Sequence, residues 1–93
     1  MREKEIENDL VKKAKKRGGI ALKFTSPGYD GVPDRLVLLP NSKMGFVEVK
    51  APGKKPRALQ ITRMQMLKSL GFKAYVLDDK KDTEVILDEI QAS

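Results

Sequence analysis

The chain has 93 residues, 34% of them charged and 40% hydrophobic, with a net charge of +6 and neither cysteine nor histidine. That describes one small domain, residues 1 to 93, and it excludes disulfides, thiolate zinc sites and every site built on imidazole, including HNH-type metal nucleases, histidine phosphodiesterases and Ser-His-Asp triads. A basic chain suits a polyanionic partner such as nucleic acid, and any hydrolysis it performs must run on carboxylates, lysine and hard metal ions.

The opening, MREKEIEND, is charged and lacks the apolar stretch of a secretion signal. The longest apolar run, Leu36 to Leu39, is far too short to cross a bilayer, so we read the protein as intracellular. Ile6, Leu10 and Ala14 recur every four positions with Val11 beside them, which predicts a helix over 3–17 with a Lys- and Glu-rich outer face. Lys15, Lys16 and Arg17 suit its last turn, and Gly18-Gly19 stops it. Residues 20–25 read as a strand with Ile20, Leu22 and Phe24 on one face. Residues 26–33 hold two glycines and two prolines and read as a loop.

Asp34 then opens an apolar strand, Leu36 to Leu39. A turn from Pro40 to Met44 leads to a second strand, Gly45 to Lys50, so the two are expected to form an antiparallel hairpin with a longer loop. After a loop at 51–56, Pro56 suits the first turn of a helix whose mostly apolar stripe is Leu59, Arg63, Met66, Leu67 and Leu70. Gly71 ends that helix, and Phe72 to Leu77 alternates as a strand. Asp82 or Thr83 caps a last helix in which Val85, Ile86 and Ile90 face inward. The order α-β-β-β-α-β-α predicts an α/β fold: an antiparallel meander extended by one parallel strand through a helical crossover, with helices packed on the mixed sheet.

Alternation places Phe46, Glu48 and Lys50 on one face of their strand and Val47 and Val49 on the other. If the valines enter the core, a carboxylate and an ammonium sit where charge is costly. A metal ion with a phosphodiester gives that arrangement a purpose. Taken singly, each residue has an ordinary reading. Asp34 can be a turn residue, and Glu48 and Lys50 a charged pair that protects an edge strand. Glu7 and Gln60 can face solvent, Lys54, Lys55 and Arg57 can be a solvated loop, and Met64 and Met66 are expected to fill core or interface space.

Taken together, Pro33-Asp34, a spacer and Glu48-Val49-Lys50 match the PD-(D/E)xK signature of the restriction-endonuclease-like superfamily. Gly-Val-Pro-Asp-Arg stands before one strand and Phe-Val-Glu-Val-Lys on the next, and Ala-Pro-Gly-Lys-Lys-Pro then leads to Leu59-Gln60. With Ser26-Pro27-Gly28 and the leading helix around Ile6-Glu7, the chain resembles the VRR-NUC nucleases from about Glu3 to Leu77. Met64 stands where RecB-like families carry tyrosine, so that subfamily is not assigned.

The resemblance implies phosphodiester hydrolysis dependent on Mg²⁺ or Mn²⁺. It implies Asp34, Glu48 and the Val49 carbonyl as metal ligands, and Glu7 reaching the ion or its waters. Lys50 would hold the attacking water or the developing charge, and Gln60 would position the site. Lys54, Lys55, Arg57 and Arg35 are expected to contact DNA, with Ser26 and Tyr29 touching the backbone. Small stand-alone members, bacterial or phage-encoded, imply a homodimer that cuts four-way (Holliday) junctions, with the last or the second helix offering the interface. A catalytically inactive basic DNA-binding module of the same fold is the competing reading. A base-specific restriction enzyme is a third, for which no extra reading domain is seen.

Overall fold

A computed structural model describes residues 1 to 92. The elements run α1 (Glu3–Lys16), β1 (Ile20–Lys23), β2 (Arg35–Leu39), β3 (Lys43–Val49), α2 (Ala58–Ser69), β4 (Ala74–Leu77) and α3 (Thr83–Gln91), with a 3-10 turn at Lys80–Asp82. The element order is the one the periodicities predict. One sheet carries the strands in the order β1-β2-β3-β4. The first three are antiparallel, and β4 lies parallel to β3 with α2 as the crossover.

The sheet has a thick side and a thin side. On the thick side, α1 and α3 press Ile6, Leu10, Ala14, Ile86, Leu87 and Ile90 onto Val37, Leu39, Val47, Val49 and Leu77. Gly45 lets α3 come this close, because a Cβ there would stand 2.8 Å from Ile90. On the thin side α2 is the one helix among the described residues, and it packs Met64 on Phe46 and Ala74, with Phe24 from the loop after β1 against the same cluster. The expected core role of Met64 is met. None of the helices among the described residues is long and apolar enough to cross a membrane.

Several expected faces turn out differently. Ile20 and Leu22 do share a side of β1, but it is the thin side, and both are exposed; Ala21 is the buried residue. The predicted stripe of α2 is not its buried face: Leu59 and Leu70 are exposed, while Gln60 and Met64 point inward. Gln60 goes in because a buried carboxylate awaits it, a pairing that hydropathy does not register. Val85 is 52% exposed, and α3 buries Thr83, Ile86, Leu87 and Ile90 instead. Those positions follow the i, i+3, i+4, i+7 spacing once Thr83 is counted, and its hydroxyl donates to Asp9 at 2.8 Å. Asp82 precedes α3 without a side-chain capping bond. The β2–β3 connection is tighter than expected, since Lys43 and Met44 belong to β3 and only residues 40–42 turn the chain. Asn41 and Ser42 take positive φ of 66° and 61° to do so.

Candidate active site

The register that pairs Arg35 with Val47 brings Asp34, one step before β2, opposite Glu48 on β3. The two carboxylates therefore meet across antiparallel neighbours where the loop after Pro33 enters the sheet. Asp34 Oδ1 accepts the Val49 N–H at 3.1 Å, which ties the loop end to β3. Burial pushes the Asp34 carboxyl up to about 6; the Glu48, Glu7 and Glu3 charges add to the rise, and the Val49 N–H opposes it.

Glu48 is 4% exposed. Its Oε2 accepts from Gln60 Nε2 at 2.9 Å and lies 3.2 Å from Lys50 Nζ. Its Oε1 is buried with no hydrogen-bond partner among the described residues. Gln60 Oε1 in turn accepts the Arg57 N–H at 2.8 Å, so the first turn of α2 and the carboxylate are linked through one side chain. Lys50 follows β3, and its N–H bonds the Leu77 carbonyl at 2.9 Å, which fixes the start of its side chain. The structure thus brings Asp34, Glu48, Lys50 and Gln60 together. Among the described residues, no group of three Asp, Glu, His or Cys side chains is gathered tightly enough to hold a metal ion by itself.

Glu7 sits near enough for its charge to act on Asp34, but its carboxylate is turned to Arg35. Arg35 Nη2 and Nε donate to Glu7 Oε2 at 2.8 and 3.2 Å, and Nη1 donates to the Ala21 carbonyl at 3.0 Å. This corrects the expectation that Arg35 contacts DNA: it is 9% exposed and its donors are spent inside the fold, because β2 points it toward α1. Arg35→Ala is expected to leave the Ala21 carbonyl without this donor and Glu7 with only the 4.0 Å ion pair to the exposed Lys4, and to cost about 2–4 kcal/mol. Urea unfolding checks this: the midpoint falls in the variant, whereas a DNA contact would leave the midpoint alone and lower only DNA affinity.

Lys54, Lys55 and Arg57 lie exposed between β3 and α2, close in sequence to Lys50. Ser26 and Tyr29 lie in one turn, closed by the Tyr29 N–H on the Ser26 carbonyl at 3.0 Å, beside Asp34. A residue that sequence reasoning placed on an apolar stripe, Arg63, instead fastens this loop to α2. Its Nε donates to the Asp30 carbonyl at 2.7 Å and its guanidinium stacks 3.8 Å from the Tyr29 ring centre. Gly31, at φ +88°, allows the close fit, since a Cβ there would stand 2.7 Å from Leu59. The arginine among apolar positions was the one signal of this role in the sequence.

No family model matches the chain. It is 50% identical over 86 residues to "Putative nuclease p44" of Acyrthosiphon pisum secondary endosymbiont phage 1, covering 92% of each protein. Its fold is that of a solved structure described as a VRR_NUC domain, with a TM-score of 0.87 at 24% identity over 95% of this chain and 97% of the other. Sharing half its residues with the phage protein along nearly the whole of both, the chain belongs to the same family as that protein, and its fold is the restriction-endonuclease-like fold of the VRR_NUC domain.

Proposed function

We propose that the protein is a divalent-metal-dependent endonuclease that hydrolyses phosphodiester bonds in branched DNA and acts on four-way junctions as a homodimer. The observation that carries this reading is the buried Glu48 carboxylate. One of its oxygens is held by Gln60 and Lys50, and the other has no hydrogen-bond partner among the described residues. An unpaired buried carboxylate oxygen is costly, and a cation beside it and Asp34 removes the cost. The phage relative is named a nuclease, which supports the same reading.

The donor set fits a hard ion such as Mg²⁺ or Mn²⁺, which Asp34 and Glu48 would hold through carboxylate oxygens and Val49 through its carbonyl. When bound, the ion supplies Lewis-acid activation of the scissile phosphate and hydroxide near neutral pH. Gln60 holds the Glu48 carboxylate in one orientation, so its free oxygen keeps a fixed direction. Lys50 is a point charge with rotatable donors that holds the attacking water or the developing negative charge. Glu7 tunes the charge at Asp34 and keeps Arg35 occupied. Lys54, Lys55 and Arg57 contact phosphates and orient the duplex without reading bases. One chain carries one such site, so two symmetric nicks in a junction call for a two-fold pair.

The test is cleavage of labelled four-way junction, flap, single-stranded and linear duplex DNA in Mg²⁺, Mn²⁺ or EDTA, with light scattering for mass. Paired nicks in the junction that EDTA abolishes, from a particle of twice the chain mass, are the expected result. Binding to every DNA with no cut under either ion would replace this reading with the inactive DNA-binding module.

A further inference from the structure

Beside Asp34 lies a hollow of about 390 Å³, formed almost wholly by residues 24–34. We infer that it receives the base of an unstacked nucleotide next to the cut phosphate, an inference that rests on the nuclease reading.

The chemistry of the walls decides the occupant. The chain carries 19 lysines and arginines, yet among the described residues lining the hollow there is none. Asp30 and Asp34 line it instead, so the residues that form the hollow bring negative and no positive charge to a phosphate. A neutral, flat group with donor edges meets no such penalty. Phe24, Pro27 and Val32 give it apolar walls, and the lining residues Thr25, Ser26 and Asp30 bring hydrogen-bonding groups for the edge of a base.

The aromatic walls are also held in place before any ligand arrives. The Phe24 ring packs on Phe46, a residue of the thin-side core, at 5.5 Å between centres. Tyr29 lines the hollow, and its ring is braced by the guanidinium of Arg63, a residue outside that lining. Rings fixed in this way bind a base by stacking without losing much freedom, and stacking is indifferent to sequence. A branched substrate supplies what such a hollow needs, because bases at a branch point unstack more readily than those in a continuous duplex. The hollow thus couples the choice of a branch to the position of Asp34.

The test is binding in EDTA, followed by fluorescence anisotropy, to four-way junctions in which a single abasic site is moved nucleotide by nucleotide across the branch. Wild type and Tyr29→Phe, which keeps the ring, are expected to lose roughly tenfold in affinity when the abasic site reaches one particular position. Tyr29→Ala is expected to bind the intact junction roughly tenfold more weakly and to be indifferent to the abasic site at that position. Equal responses of wild type and Tyr29→Ala at every position would overturn the inference, even if Tyr29→Ala binds weakly because its loop has loosened. Cleavage of the same DNAs by wild type in Mg²⁺ and Mn²⁺ separates the two readings. A protein that cuts but shows no ring-dependent position loses the base site alone. One that shows the position without cutting loses the nuclease reading, and one that binds none of these DNAs loses both.

Discussion

Lys50→Ala is expected to slow junction cleavage by about 10²–10³-fold while divalent-cation binding persists. Lys50 Nζ lies 3.2 Å from Glu48 Oε2, and the side chain is 17% exposed. Two roles fit that position. As a counter-charge, Lys50 would only offset the carboxylates, and its loss would be felt by the cation as a stronger negative site. As a donor to water or phosphate, its loss would be felt in the rate of the chemical step. Lys50→Arg separates these roles. Arginine keeps the charge but replaces a compact ammonium with a wide planar fork, so it restores an electrostatic balance and does not restore a donor at one point. Single-turnover cleavage with saturating protein measures the step directly. Slow turnover in both variants, with cation affinity unchanged or raised, is the expected pattern, and near-normal turnover in Lys50→Ala would remove Lys50 from the chemistry.

The outline of the fold could be read from the chain because its signals are local. The four-residue spacing of Ile6, Leu10 and Ala14, the glycines after α1 and α2 and the alternation along β3 all act within a few residues. The pairing of Asp34 with Glu48 was also readable, since a short connection forces β2 and β3 to be antiparallel neighbours and fixes which residues face each other. What could not be read depends on contacts between distant parts of the chain. Arg35 looked like a free cation because Glu7 stands 28 positions away. Gln60 belonged inside α2 only once Glu48 was known to lie under it. Ile20 and Leu22 have the right spacing for a core face, but which side of a sheet receives two helices and which receives one is settled by topology. The role of Arg63 was hidden for the same reason, as its partners Tyr29 and Asp30 sit in a loop with no periodicity.

Asp34→Asn is expected to abolish cleavage and yet to raise the stability of the metal-free protein. The asparagine keeps an oxygen for the Val49 N–H, so the tie between the loop and β3 survives. What it removes is a charge held in an unfavourable place. Folding moves the Asp34 carboxyl from 3.8 to about 6, mainly through burial. The folded state therefore holds a proton that the unfolded state has released between those values, and stability declines as pH rises through that window. Above pH 6 the full penalty is present in the wild type. At full weight it would be about 3 kcal/mol, and for a half-buried group about 1–2 kcal/mol remains. Below pH 3.8 both states hold the proton and the advantage of asparagine vanishes. Thermal melts in EDTA should then show Asp34→Asn several degrees above wild type at pH 7.5 and level with it near pH 3.5. Adding Mg²⁺ or Mn²⁺ should reverse the order at pH 7.5, because a ligand that binds only the folded state stabilises it by an amount that grows with the logarithm of its affinity, and the variant lacks a charged ligand. Equal melting of the two proteins at pH 7.5 in EDTA, with no separation on adding either ion, would mean that Asp34 is a turn residue and that the buried charge serves some other end.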